Sequence, residues 1–204
     1  KDKYSCSDTK IIAASSWDYS NHLISKHKLK SNNKELISFH DCIVFIDGAG
    51  PKFHGDDKIL GLLSPFTSDI WYPALCKFFD FLEEKFQKKI VIAGHPQSFF
   101  EPNPKEFGGR DIIYYKTEEL IKNSSFVLSR GSTALSYAIF YNKTIVGITS
   151  NELIENRPSV SEQRVKYFKS LDSTIINIDN FSKSTNVLLN QNTEAYSNYL
   201  NQYI

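Results

Sequence analysis

Short uninterrupted apolar runs alternating with helical patterns constrain this 204-residue chain more than any other feature. Cys42-Ile43-Val44-Phe45-Ile46 is β-branched and aromatic throughout, and Lys89-Ile90-Val91-Ile92-Ala93 repeats the pattern. A run with no polar alternation suits a strand buried on both faces, which in turn suits a parallel sheet. Further strands are expected at Asp111–Tyr115, Phe126–Leu128, Thr144–Ile148 and Thr174–Ile178. Between them, Trp71, Ala74, Leu75, Phe78, Phe79, Leu82 and Phe86 recur at helical spacing, and Glu83, Glu84 and Lys85 face the other way. This aromatic stripe reads as core.

Helices are also expected from a Thr117 cap to Asn123, over Thr133–Tyr141 and over Val160–Leu171, with a last one carrying Leu188, Leu189, Tyr196, Tyr199 and Leu200. Repeated βαβ order predicts an α/β fold with a doubly wound, mainly parallel sheet, whose ligands bind beyond the carboxyl ends of the strands. The expected organisation is residues 1–40 as the tail of a preceding unit or a linker, 41–180 as a Rossmann-like ligand-binding domain, and 181–204 as a C-terminal helix.

Composition narrows the function. The chain is 41% hydrophobic, enough for one domain with a substantial core. A formal net charge of +1 gives no overall field to draw it to nucleic acid or an anionic membrane, so no nucleic-acid partner is expected. Three cysteines, Cys6, Cys42 and Cys76, lack CxxC spacing, which argues against a disulfide framework or a zinc knuckle and suits a cytoplasmic location. No stretch approaches the roughly 18 to 20 apolar residues of a membrane span. Methionine is absent even at position 1, so the chain is expected to be a piece of a longer protein whose remainder carries part of the active site. Peripheral association with the inner face of the plasma membrane would come through that remainder.

Three strand-end loops should converge on one crevice: Asp47 to Gly50, Gly94 to Ser98, and Ser129 to Thr133. In the third, Ser129-Arg130-Gly131-Ser132-Thr133 leads from a strand into a helix, so backbone N–H groups, hydroxyls and a positive dipole end could meet a phosphate. A plain helix cap at Ser132 or Thr133 explains the same residues. His95, held between Gly94 and Pro96, can donate to a phosphate or ribose oxygen, or can simply be solvated. Asp47 and His54 flank Gly48-Ala49-Gly50-Pro51 and are the candidate catalytic residues, although Asp47 can equally form a turn. Gly48 and Gly50 would let a ligand approach the backbone.

Several chemistries lose support. Phe53 occupies the last glycine position of GxGxxG, no lysine follows in Walker spacing, and GxSxG is missing. Asp56-Asp57 has no partner carboxylate at ligand-like spacing and reads as a solvated turn, so no metal site or cofactor is expected.

With strand, His95-Pro96, helix, strand and Ser129-Arg130-Gly131-Ser132-Thr133-Ala134-Leu135 in order, the chain resembles the C-terminal domain of GT-B glycosyltransferases of bacterial capsule and lipopolysaccharide synthesis. Sialyltransferases and Kdo transferases that use CMP-activated sugars carry a His-Pro dipeptide and a later Ser/Thr pair, which contact the donor phosphate. The resemblance covers about Cys42 to Ile148. It implies transfer of a sugar from a nucleotide-activated donor, CMP-sugar favoured, to a glycan or lipid-linked acceptor, without a metal. A non-catalytic nucleotide- or sugar-binding module, a CDP-polyol phosphotransferase and an epimerase on the same fold are the alternatives.

Overall fold

The computed structural model describes residues 16–27, 39–48, 50–52, 59, 61–187, 189 and 192–203. Its centre is a six-stranded sheet of β1 (Ile43–Ile46), β2 (Ile90–Gly94), β3 (Ile112–Tyr114), β4 (Phe126–Ser129), β5 (Thr144–Thr149) and β6 (Thr174–Asn177). The spatial order is β3-β2-β1-β4-β5-β6 and every pairing is parallel. This is the doubly wound, Rossmann-like arrangement that the alternation predicts. The strand order reverses at β1, which pairs with β2 on one side and β4 on the other, and that reversal opens a crevice at the strands' carboxyl ends.

The apolar runs are continuous because each strand feeds two cores. Ile43, Phe45, Ile90, Ile92, Phe126 and Leu128 join one layer with Leu75, Phe78, Phe79 and Leu82 of helix α2 (Ser68–Phe86). Their neighbours Val44, Ile46, Val91, Ala93 and Val127 join the other. There they meet helix α3 (Thr117–Asn123) through Leu120 and Ile121, and helix α4 (Leu135–Phe140) through Leu135, Ala138 and Ile139.

Helix boundaries differ from the periodicity at several ends. α2 starts at Ser68, before the first core residue of the stripe, because Thr67 is held through its N–H and hydroxyl by Glu152, at 3.0 and 3.1 Å. Thr117 is the first residue of α3 and Lys116 precedes it, so Thr117 makes no cap bond. α4 starts only at Leu135, because Leu135 and Ser136 N–H bond to Ser132 and Thr133 carbonyls in a tight three-residue turn. A short helix α5 (Asn151–Asn156), capped by Ser150, was not predicted by periodicity; helix α6 (Pro158–Ser170) follows it. The last helix, α7, spans Thr193–Tyr203: Leu189 lies outside it and exposed, whereas Tyr196 is buried with its hydroxyl on the Lys143 carbonyl at 2.8 Å. Leu188 lies outside the described residues.

The segment expected to be a tail contains helix α1 (Trp17–His27), which is seated on α4. His22 there is only 2% exposed and stacks on Phe140, 4.7 Å between ring centroids. No described helix is long and apolar enough to cross a membrane.

Candidate functional site

Strand β1 is followed by Asp47, whose N–H continues the sheet pattern onto the Ala93 carbonyl at 3.0 Å. Asp47 is 7% exposed, and one carboxylate oxygen accepts the His95 N–H at 3.5 Å. The first two strand-end loops are thus joined by a side chain. Strand β2 ends in Gly94, where a Cβ would lie 2.5 Å from the Tyr114 ring. Only glycine fits there.

His95 is extended, as the residue before proline should be, and a single 3-10 turn, Pro96–Ser98, follows. The Gln97 N–H donates to His95 Nδ1 at 3.2 Å, and the Ser98 hydroxyl donates to the His95 carbonyl at 2.9 Å. Nδ1 is therefore an acceptor, and the hydrogen of the neutral ring sits on Nε2. Burial lowers the His95 pKa, which favours this neutral form.

A cleft of about 490 Å³ lies over the switch point on the α3–α4 side, a volume suited to a small ligand. From the predicted set, Asp47, His95, Pro96, Ser132 and Thr133 line it. Asp18 and Asn21 of α1, Thr117 and Glu118 of α3, and Tyr137 of α4 also line it. The Tyr137 pKa is pushed up to about 12, first by burial and then by Asp18. Asp18 and Asn21 escape sequence reasoning because their segment is polar on average and carries no recognisable motif, and Glu118 because it reads as an ordinary first-turn acid.

The Ser132 hydroxyl accepts the Ala134 N–H at 3.2 Å, closing the turn that leads into the helix, whose own cap position is Ala134. Among the described residues, the N–H groups of Ser132 and Thr133 and the Thr133 hydroxyl meet no protein partner. Ser129 is fully buried and accepts the Gly131 N–H at 3.0 Å, so it shapes the turn from below. Gly131 has φ +129°, and Arg164 of α6 packs beside it, its Nε 3.5 Å from where a Cβ would be. Arg164 is a cation at this turn that the sequence gives no means of finding.

Gly48, Gly50 and Arg130 do not line the cleft. Arg130 turns to the α2 side and donates to the Gly48 carbonyl at 3.1 Å. A Cβ on Gly48 would stand 3.1 Å from that guanidinium, and one on Gly50, φ +52°, would stand 2.5 Å from the Tyr72 hydroxyl. These glycines make room for protein side chains. His54, Asp56 and Asp57 lie outside the described residues. Among the described residues, no three His, Cys, Asp or Glu side chains are grouped to hold a metal ion.

The arrangement can accept hydrogen bonds from a hydroxyl-rich ligand at Asp18, Asp47 and Glu118, and donate to an anion from Ser132, Thr133 and His95. No lysine or arginine lines the cleft among the described residues. No protein-family model and no curated protein sequence matches the chain. Among solved structures, it is similar to the UDP-GlcNAc 2-epimerase of Methanocaldococcus jannaschii in complex with UDP-GlcNAc and UDP. The identity is 15% and the TM-score 0.44, over 91% of this chain and 51% of that one. The chain spans about half the length of that enzyme.

Proposed function

We propose that the switch-point cleft binds a nucleotide-activated sugar and that the chain is the donor-binding half of a GT-B-type glycosyltransferase of bacterial surface-polysaccharide synthesis. The observation that carries this reading is that His95 and the Ser132–Thr133 turn face one cleft from opposite sides of β1. The N–H groups of that turn, the Thr133 hydroxyl and His95 Nε2–H receive the phosphate. Arg164, beside Gly131, adds a positive charge nearby.

Charge supports a single phosphate. Three carboxylates, Asp18, Asp47 and Glu118, share the cleft, so each further anionic charge on the ligand is disfavoured, whereas ribose and sugar hydroxyls are natural donors to them. A CMP-sugar is therefore favoured over a UDP-sugar. In the transfer step, an acceptor hydroxyl attacks the anomeric carbon, the bond to the phosphate oxygen breaks, and CMP leaves with its developing charge met by these donors. Asp47, with His54, is the candidate group to take the acceptor's proton. The acceptor is a glycan or a lipid-linked glycan.

Calorimetric titration with CMP, UDP and cytidine tests the reading. The expected order of affinity is CMP, then UDP, then cytidine, and a protein that binds none of them at millimolar concentration overturns it.

A further inference from the structure

Glu118 is held with unusual care for a surface acid. His22 Nδ1 stands 3.0 Å from its Oε1, and the Tyr141 hydroxyl donates to the same oxygen at 2.9 Å. An ionised carboxylate only accepts, so His22 Nδ1 carries the hydrogen. Two donors meeting on one oxygen fix the carboxylate's torsions. His22 is itself clamped, stacked on Phe140 and edge-on to Tyr141, 5.0 Å between centroids. Burying an imidazole costs free energy unless its nitrogens are matched, and Glu118 Oε1 matches Nδ1. The polar choice acts on Glu118, whose side chain is 18% exposed and lines the cleft.

We propose that His22 is a positioning residue: by donating to Glu118 it holds that carboxylate in the cleft as an acceptor for ligand hydroxyls, and so makes α1 a working wall of the site. The proposal rests on the cleft being the nucleotide-sugar site. The geometry departs from simple docking of a helix, because Asp18, one turn before His22, and Asn21, next to it in the chain, line the same cleft and the Ser136 hydroxyl donates to Asp18 at 3.3 Å.

The test compares His22→Leu, which keeps apolar packing, with His22→Asn, whose amide nitrogen overlays Nδ1, each alone and with Glu118→Gln. CMP affinity is measured by calorimetry, and the carboxyl resonance of Glu118 by NMR in the ligand-free protein. His22→Leu should weaken CMP about tenfold, the scale of one lost hydrogen bond to a charged group, and His22→Asn should recover most of it. With Glu118→Gln in place, His22→Leu should add little. Equal losses in His22→Leu and His22→Asn, or additive losses in the double variant, overturn the proposal. If the wild type binds no nucleotide, the functional reading falls, and the ligand-free resonance decides the positioning. A Glu118 signal that moves in His22→Leu and returns in His22→Asn upholds it, and one unmoved in His22→Leu overturns it.

Discussion

The Arg130 guanidinium sits 4.4 Å from the centroid of the Phe66 ring and 5.8 Å from that of Trp71, on the face of the sheet away from the cleft. It ties the β4–α4 turn to the core and to the Gly48 carbonyl. Arg130→Ala should therefore lower stability by about 1 to 3 kcal/mol, from a lost cation–π contact and a charged hydrogen bond, while CMP affinity changes less than about threefold. Thermal melts and titrations on the same preparation check both halves of this expectation.

Ser132 and Thr133 should separate a cap from an anion contact. Ser132→Ala removes the acceptor for the Ala134 N–H and should cost about 1 kcal/mol of stability. Thr133→Ala should leave the melting temperature nearly unchanged, since the Thr133 hydroxyl has no partner among the described residues. It should nevertheless weaken CMP about tenfold, with cytidine unaffected. Equal losses for both ligands would point to a distorted pocket.

His95 predicts a pH dependence. Burial holds its folded-state pKa below the ordinary 6.5, so the unfolded chain takes up the proton first as pH falls. The contribution to stability is unpenalised well above pH 6.5, declines as pH drops through that value, and levels off below the depressed folded value. Replacing His95 with Gln, which keeps a donor near Nε2, should flatten that part of the melting-temperature profile and retain most CMP affinity. An imidazole titrating at or above the ordinary value by NMR would contradict it.

Gly94→Ala should be costly. Its Cβ would meet the Tyr114 ring at 2.5 Å and Ile112 at 2.8 Å, so strand β3 must shift. A loss of about 1 to 3 kcal/mol in denaturant unfolding is expected, at the scale of overpacking a filled core.

The sheet is readable because its inner strands are buried on both faces: Ile43 to Ile46 and Ile90 to Ala93 have no polar residue to blur the pattern. The convergence of Asp47, His95 and Thr133 followed from strand-end position alone. What stayed hidden depends on long-range packing. Nothing local to Arg130 says that it turns toward Phe66, and nothing near Arg164 says that α6 brings it to Gly131. α1 escaped because its hold on the domain is made of scattered polar and ring contacts of His22, Asp18 and Tyr19 rather than an apolar stripe.

The pairing of β1 with β4 sets a kinetic condition on the cleft. Ile43–Ile46 and Phe126–Ser129 are remote in the chain, and the whole β2–β3 half is threaded between them, so their meeting closes a long loop and comes at high entropic cost. His95 and Thr133 face each other only once that closure is complete. A bound nucleotide would then report on finished topology: it could slow unfolding of the native domain, but a half-formed sheet would offer it nothing to hold, and ligand added during refolding should leave the folding rate unchanged.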